Sequence, residues 1–357
     1  MVEKFIVSRD DSIYEAWPDV ALLPSGKMVC VFSECTHHFN RAYTRIVCVA
    51  SEDRGRTWSA KMPISEPLIK HDASEPHWNC ARITALSDDR LVVVCDRILG
   101  GAEGSDGEQS NWLWFSDDQG ETWEGPIATP VEGIVPDQLV ELKLQPHAGR
   151  WMLSAHRAIL QEDGSRLWHQ RAWTSDDKGQ SWDGPFTIAA EPGLLLCEGS
   201  IVEMATGELV CLMRENSGHG LDVHRSISWD GGKSWRGLST LPLSGCHRPV
   251  ASVLKSGHIL VTYRYLQGGA SMIGWGAQNV FAAITDRGSC LANDRQGVKV
   301  RIMPMDFDRS EHADLGYTGH VQFPDGEIYV VNYIVDDAPN GHIRGYSFRE
   351  SDVILPG

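Results

Sequence analysis

The stretch Glu198-Gly-Ser-Ile-Val-Glu-Met-Ala-Thr-Gly-Glu-Leu-Val-Cys-Leu-Met-Arg214 decides the fold, together with Ser228-Trp-Asp-Gly-Gly-Lys-Ser-Trp235 shortly after it. In the first part, apolar residues alternate around a turn at Thr206-Gly207, which is typical of a β-hairpin. In the second part, the aspartate can accept hydrogen bonds from backbone amides of a tight turn. The glycine can adopt a positive φ and the tryptophan can pack between sheets. We therefore expect a hairpin followed by a strand that ends in this turn motif.

Both features recur along the chain. The hairpin pattern occurs in six segments, Asp19–Cys35, Arg82–Arg97, Gln138–Arg157, Ser200–Glu215, Pro249–Tyr265 and Thr318–Tyr333. The turn motif has four complete copies, Ser51–Trp58, Ser116–Trp123, Ser175–Trp182 and Ser228–Trp235, and a worn copy at Asp286 and Gly288. Repeats of about 40–60 residues are typical of radially arranged sheets, because one repeat cannot bury both of its faces. The sequence predicts an all-β fold, a six-bladed β-propeller with four strands per blade.

One domain is expected over residues 1–357, because no linker or low-complexity segment interrupts the repeats. The N-terminal strand around Phe5–Val7 is predicted to pair with Ile343–Phe348 and to complete the last blade. Such pairing closes the ring and removes an open sheet edge.

Composition narrows the range of partners. Asp and Glu number 48 against 32 Lys and Arg, a net charge of −16, which argues against nucleic acid. No run of about 18 apolar residues predicts a membrane span, and the N-terminus lacks the apolar core of a signal peptide. The nine cysteines are odd in number and mostly lie in apolar strands, which indicates reduced core thiols and a cytoplasmic location. They show no C-x-x-C spacing, which argues against a zinc ribbon or a redox site. The histidines lack ordered metal-ligand spacing, so neither a metal nor a cofactor is expected. The oligomeric state stays open.

Charged and aromatic residues replace the apolar pattern at one end of the hairpins. Seven residues after each turn stand Ser33, Asp96, His156, Arg214, Arg264 and Tyr333; nine residues before it stand Trp17, Cys80, Glu198, Arg248, Tyr317 and, approximately, Asp137. The two ends of an antiparallel hairpin lie at the same edge of the sheet. If the first strands line the axis, these residues meet around one mouth and form a ligand pocket.

These residues resemble the sialidase (neuraminidase) superfamily, whose turn motifs are called Asp boxes, and the resemblance covers nearly the whole chain. It implies that Glu198 and Tyr317 form a catalytic pair in which tyrosine is the nucleophile. It also implies that Arg214 and Arg248 bind a substrate carboxylate. The register position of Arg264 makes it the candidate for a third arginine. The expected substrate is a carbohydrate with a terminal carboxylated sugar, such as sialic acid.

Two departures from the sialidase pattern affect the first blade. The stretch Tyr14-Glu-Ala-Trp-Pro18 lacks the arginine of the superfamily, and the loop Glu34–Arg41 lacks its acid/base aspartate. Three residues are candidates for the missing general acid: His37 and His38 in that loop, and Asp72 in the following one.

Aromatic residues near the mouth, Trp17 and Trp78, are candidates for stacking on sugar rings. Two other functions stay open at this stage. An oligosaccharide lyase would use tyrosine and histidine as acid and base on a uronate. A non-catalytic propeller would use the same mouth as a carbohydrate-binding platform.

Overall fold

The computed structural model describes residues 2–72, 74–100, 107–266 and 277–353. It contains six separate antiparallel sheets, as the repeats predicted. The first strands of successive blades contact one another, so these strands form the inner wall of the ring. The prediction of a six-bladed β-propeller is confirmed.

The strands of the first half follow in chain order. A separate N-terminal strand is β1 (Glu3–Ser8). Blade 1 contains β2 (Tyr14–Leu22), β3 (Met28–His37), β4 (Asn40–Ser51), β5 (Met62–Pro63) and β6 (Leu68–Ile69). Blade 2 contains β7 (His77–Ala85), β8 (Leu91–Leu99), β9 (Glu108–Ser116) and β10 (Glu124–Glu132). Blade 3 contains β11 (Val140–Glu141), β12 (Trp151–Leu160), β13 (Arg166–Ser175) and β14 (Asp183–Ala189).

Blades 4, 5 and 6 and the helical elements are formed by the second half of the chain. Blade 4 contains β15 (Leu196–Glu203), β16 (Leu209–Glu215), β17 (Asp222–Ser228) and β18 (Arg236–Ser244). Blade 5 contains β19 (Cys246–Val253), β20 (Ile259–Leu266), β21 (Gln278–Thr285) and β22 (Val300–Phe307). Blade 6 contains β23 (Leu315–Gln322), β24 (Glu327–Ile334) and β25 (His342–Arg349). The helical elements are α1 (Arg287–Leu291), a 3₁₀ turn (Arg295–Gly297) and α2 (Glu350–Val353).

The N-terminal strand closes the ring. Strand β1 pairs with β25, so that Phe5 lies opposite Gly345 and Lys4 opposite Tyr346. Blade 6 therefore combines three strands from the end of the chain with one from its beginning. The predicted pairing is confirmed, and it ties the two ends of the described chain together.

The hairpin turns lie where the sequence pattern put them. All six have a residue in the left-handed region, with φ between 67° and 94°, at Gly26, Asp89, Gly149, Gly207, Gly257 and Gly326. Five of these residues are glycines, which adopt this conformation without a Cβ clash. The aspartate in blade 2 belongs to the small group of residues that also tolerate it.

The Asp boxes are structural turns. In the first copy, Asp53 accepts hydrogen bonds from the amide of Thr57 (2.9 Å) and from its hydroxyl (2.6 Å). These bonds lower the pKa of Asp53 to about 2. The Trp58 indole donates to the carbonyl of Gly55. The worn copy differs, because Asp286 caps α1 by accepting a hydrogen bond from the amide of Ser289.

The inner strands of five blades carry a β-bulge at the same end. The pairing register shifts between Ala16/Asp19, Trp78/Ala81, Cys197/Ser200, His247/Val250 and Gly316/Gly319. Four residues inside these bulges have φ near 50°, namely Trp17, Glu198, Arg248 and Tyr317. A non-glycine residue in this region costs of order 1–3 kcal/mol and is found mainly at functional sites. The bulges therefore mark one end of the inner strands as the candidate site.

Buried side chains join the blades below this end. Asp19 accepts a hydrogen bond from the amide of Ile83 in the next blade (3.0 Å), and Asp137 does the same for Ile201 (2.7 Å). Ser200 accepts one from the amide of Ala251 (3.1 Å). Inner strands of neighbouring blades do not pair with each other, so their inward amides require such acceptors.

Replacing Asp137 with alanine tests this role. The change removes the acceptor for a buried amide and the carboxylate that lies 3.9 Å from the guanidinium of Arg248. Because it leaves a buried charge without compensation, we expect unfolding to become easier by about 3–5 kcal/mol, measured by urea denaturation. The control is Asp163→Ala, which removes an exposed turn bond to Ser165 and costs less than about 1 kcal/mol. Equal losses in the two variants would contradict the proposed role of Asp137.

Candidate functional site

A cavity of about 260 Å³ lies at the bulged end of the inner strands. Six of the residues predicted from the sequence line it, Trp17, His38, His156, Glu198, Arg214 and Tyr317. Its wall also includes Trp168, Asn216 and Leu266, which the sequence did not single out. These three lie on outward parts of their blades, where the hairpin register gave no signal. The cavity therefore brings together residues from all six blades of the ring or their adjoining loops.

Tyr317 and Glu198 form the closest polar contact of the cavity. The Tyr317 hydroxyl donates a hydrogen bond of 2.6 Å to Oε1 of Glu198. Both residues sit in left-handed bulges, with φ of 52° and 50°. Each bulge turns its side chain out of the alternation of the strand, and the two side chains then meet across the ring.

The proton of this pair resides on the tyrosine. Burial alone would raise the pKa of a carboxyl, but Arg214 and Arg264 hold the pKa of Glu198 well below its ordinary value. Nη1 of Arg214 donates to Oε1 of Glu198 at 2.8 Å. Burial, and then the charge of Glu198, raises the pKa of Tyr317 well above its ordinary value. The pair is thus a phenol donating to a carboxylate.

His156 supports the carboxylate from the adjacent blade. Its Nδ1 lies 3.2 Å from the amide nitrogen of Glu198 and accepts its hydrogen bond. Its ring stacks on Trp168, with centroids 5.3 Å apart. Burial lowers the pKa of His156 to about 4, so the ring is neutral at pH 7. With Nδ1 accepting, the proton of the neutral ring lies on Nε2.

His38 is oriented by a carboxylate that the sequence analysis missed. Nδ1 of His38 lies 2.5 Å from Asp314, which also accepts hydrogen bonds from the hydroxyls of Tyr14 (2.5 Å) and Tyr333 (2.7 Å). Burial would raise the pKa of Asp314, but these partners, His38 first, hold it below its ordinary value. An ionised carboxylate only accepts, so Nδ1 of His38 must donate. The other ring nitrogen, Nε2, is then the one left for the cavity that His38 lines.

Little in the sequence indicates that Asp314 belongs to the site. It stands three residues before Tyr317, beside the first residue of β23. It falls at neither of the two hairpin positions, seven residues after or nine residues before the turn, that the other mouth residues share. Only the folded ring shows that the hairpin tip of blade 1, which carries His38, lies against the start of blade 6.

Two predicted arginines do not reach the cavity. Arg248 and Arg264 are both fully buried and absent from its lining. Nη2 of Arg248 donates to the carbonyl of Pro136 (2.9 Å), and Nη1 of Arg264 lies 3.3 Å from the carbonyl of Leu315. Their guanidinium carbons lie 6.0 and 5.7 Å from the ring centroid of Tyr317. The expectation that they face the mouth is corrected: they lie beneath it.

Other candidates also lie away from the cavity wall. Asp96 is fully buried and accepts hydrogen bonds from Asn79 and from the amides of Cys80 and Val135, so it holds blades together rather than facing a ligand. Trp78 packs edge-on against Trp114, with centroids 5.0 Å apart, in the core between blades 1 and 2. Neither residue is in a position to contact a sugar in this cavity.

The remaining three candidates have local roles in this structure. Asp72 accepts hydrogen bonds from Ser74 in an exposed turn. The His37 ring packs edge-on against Tyr14, outside the cavity lining. Tyr333 bonds Asp314 rather than lining the cavity, although its ring lies 6.4 Å from that of Tyr317.

Sequence comparison identifies the repeat family. Residues 65–267 match the BNR repeat-like domain family. The chain belongs to this family. The resemblance to the sialidase superfamily is thereby confirmed at the level of family and fold. No protein of curated function matches the chain by sequence.

Several solved structures share the architecture of this BNR repeat-like chain. A protein of unknown function from Dyadobacter fermentans has a TM-score of 0.79 at 18% identity, covering 98% of this chain and 99% of that one. The intramolecular trans-sialidase from Ruminococcus gnavus has a TM-score of 0.66 at 13% identity, covering 96% of each chain. The α-L-arabinanase of Penicillium chrysogenum has a TM-score of 0.64 at 14% identity, covering 98% and 99%. At these identities the likeness establishes the fold.

The described ranges contain neither a metal-binding cluster nor a membrane-spanning helix. Among those residues, no cluster of three or more His, Cys, Asp or Glu side chains is arranged to hold a metal ion. No helix in the same ranges is long and apolar enough to cross a membrane. All nine cysteines fall within them and are buried thiols.

The protonation of His156 in this BNR repeat-like domain is open to a direct test. Its pKa of about 4 lies below the ordinary histidine value of about 6.5. The folded state thus prefers the neutral ring, and this contribution to stability is lost as pH falls from about 6.5 through about 4. We expect ¹⁵N NMR to show the Nε2–H form from pH 7 to about 5. A ring already charged at pH 6 would contradict the assignment; His156→Gln identifies the signal.

Proposed function

We propose that the protein is a glycoside hydrolase in which Tyr317 is the nucleophile and Glu198 its base. The observation that carries the proposal is the 2.6 Å hydrogen bond from Tyr317 to Glu198 at a cavity wall. Two residues 119 positions apart in the chain meet there, each on a bulge. A binding platform does not need an ion-paired carboxylate next to a buried phenol, whereas nucleophilic catalysis does.

The proposed reaction has two steps. In the first, the Tyr317 oxygen attacks the anomeric carbon, its proton passes to Glu198, and the bond to the leaving oxygen breaks. In the second, water attacks the same carbon and Tyr317 leaves with the proton returned by Glu198. This sequence gives net retention through a covalent glycosyl-tyrosine, as in the tyrosine variant of the double-displacement mechanism.

His38 is the proposed general acid. In the doubly protonated ring, the Nδ1–H of His38 is held by Asp314 and the Nε2–H can protonate the leaving oxygen; Nε2, left without its proton, can then accept one from the attacking water. His37 and Asp72, the other candidates from the sequence, do not line the cavity. Asp314 acts through His38, so it is a positioning residue.

Whether the substrate sugar carries a carboxylate is a separate question from the identity of the nucleophile pair. The sequence predicted a carboxylated sugar held by three arginines, but only Arg214 lines the cavity. The proposed function therefore rests on the nucleophile pair and not on this clamp.

Variants of the nucleophile pair test the proposal. On a panel of 4-nitrophenyl glycosides, we expect Tyr317→Phe and Glu198→Gln each to lower kcat/KM by about 10²–10⁴-fold, because each removes a group that acts in the transition state. The matched control is Tyr265→Phe, whose ring stacks on Phe281. Full activity in either site variant would contradict the roles. An unsaturated product that absorbs in the ultraviolet would indicate a lyase instead.

The positioning role of Asp314 predicts a change in the tautomer of His38. In the wild type, ¹⁵N NMR should show Nδ1 protonated, because the carboxylate only accepts. In Asp314→Asn this preference should be lost and turnover should fall, while Asp314→Glu should partly restore both. Tyr333→Phe, which removes a different bond to Asp314, should leave the tautomer of His38 unchanged. The same tautomer in Asp314→Asn would rule out the positioning role.

A further inference from the structure

We infer that the cavity binds a neutral sugar ring and discriminates against a carboxylated one. The inference rests on the proposed function of the same site, whose substrate class it specifies. The observations that carry it are the positions and partners of three arginines, Arg214, Arg248 and Arg264.

The guanidinium groups of Arg248 and Arg264 face backbone atoms and do not line the cavity. Both are fully buried, and each guanidinium points to a backbone carbonyl, of Pro136 and of Leu315 respectively. Arg248 also faces the buried carboxylate of Asp137 at 3.9 Å. Neither arginine is part of the cavity wall, so a carboxylate in the cavity would not contact them in this arrangement.

Arg214 reaches the cavity but already has two partners. Nη1 donates to Glu198 at 2.8 Å and Nη2 donates to Oδ1 of Asn216 at 2.7 Å. These two bonds use two of the five N–H donors of Arg214, and the bond to Glu198 is also an ion pair. Its charge is balanced by the carboxylate of Glu198, which would repel a second carboxylate nearby.

Apart from Arg214, no lysine or arginine lines the cavity in the described part of the chain, although Arg41 lies over the ring of Trp17. Residues 1, 73, 101–106, 267–276 and 354–357, outside the described ranges, include no lysine, arginine or histidine in the sequence. The His38 side chain is paired with Asp314, and His156 is neutral at pH 7.

Arg214 in the cavity wall and Arg264 beneath it also act on the charges of the Tyr317–Glu198 pair. Arg214 and Arg264 favour the ionised forms of both Tyr317 and Glu198, opposing the effect of burial on the tyrosine. They therefore stabilise the charge that passes between the two residues during attack. A carboxylate on the substrate would compete for the same positive field.

The cavity wall suits a neutral ring. Trp17 and Trp168 contribute apolar surface to the wall, and Asn216 offers its amide for hydrogen bonds to hydroxyls. At about 260 Å³ it is slightly smaller than pockets for drug-sized ligands, about 300–1,000 Å³, which is consistent with one sugar ring.

The test uses pairs of ligands that differ at one position, where one member carries a carboxylate and the other a neutral group. Glucose and glucuronate, galactose and galacturonate, and N-acetylneuraminate with its methyl ester are titrated by calorimetry into Tyr317→Phe, which keeps the Glu198 charge without turnover. In parallel, wild-type kcat/KM is measured on 4-nitrophenyl glycosides and the matching uronides. We expect the neutral member of the best pair to bind at least tenfold tighter and to be the better substrate.

A second variant tests whether the ion pair between Arg214 and Glu198 causes the preference for the neutral ligand. Glu198→Gln removes the carboxylate that balances Arg214, so the preference for the neutral ligand should fall at least fivefold relative to Tyr317→Phe. Asp163→Asn, which removes a carboxylate from an exposed turn, is the control and should leave the preference unchanged. An unchanged preference in Glu198→Gln would show that the arginine pairing does not set the selectivity.

The outcomes separate this inference from the proposed function. Tighter binding of the carboxylated member, with turnover, overturns the inference and leaves the glycosidase in place. Neutral binding without turnover of any glycoside overturns the glycosidase and supports the inference. Failure of every pair to bind overturns both, because the cavity then takes no sugar ring of this size.

Discussion

The inward backbone amides of six unpaired inner strands are the constraint on which this structure depends. Each blade satisfies the amides within its own sheet, but the strands around the axis have no strand partner on their inner side. Buried acceptors such as Asp19, Asp137 and Ser200 reach into the next blade and accept these hydrogen bonds. Gly319 shows how close the approach is, since a Cβ there would meet the carboxylate of Asp19. The ring is therefore held by polar contacts at its centre as well as by apolar packing between sheets.

The site follows from the same strands. Where the inner ladder ends, a bulge in each of several blades rotates one residue towards the mouth. In the regular alternation of a strand, Glu198 and Tyr317 would not face each other. The left-handed conformation costs energy, and the surrounding buried hydrogen bonds supply the rigidity that sustains it. Fold stability and the geometry of the candidate site thus share one structural origin.

Electrostatic partners decide what the site can do. Glu198 is kept ionised by arginines, Tyr317 is kept protonated by burial, and His38 is oriented by Asp314. These three arrangements are complementary for the proposed reaction, because its nucleophile, base and acid need different protonation states in one small volume. The buried arginines belong to this arrangement, and their positions explain why a sialidase-like framework need not imply a carboxylated substrate.

The sequence by itself determined the six blades, the turn positions, the ring closure and the meeting of Glu198, Arg214 and Tyr317. These features depend on local periodicity and on turn chemistry, which repeat in the chain and can be aligned within it. It did not determine that Arg248 and Arg264 lie under the mouth, that Asp96 joins blades, or that Trp78 packs in the core. Nor did it identify Asp314 beside His38. Register assigns a residue to one end of a strand, but only tertiary packing decides whether its side chain turns to the cavity, the axis or the neighbouring blade.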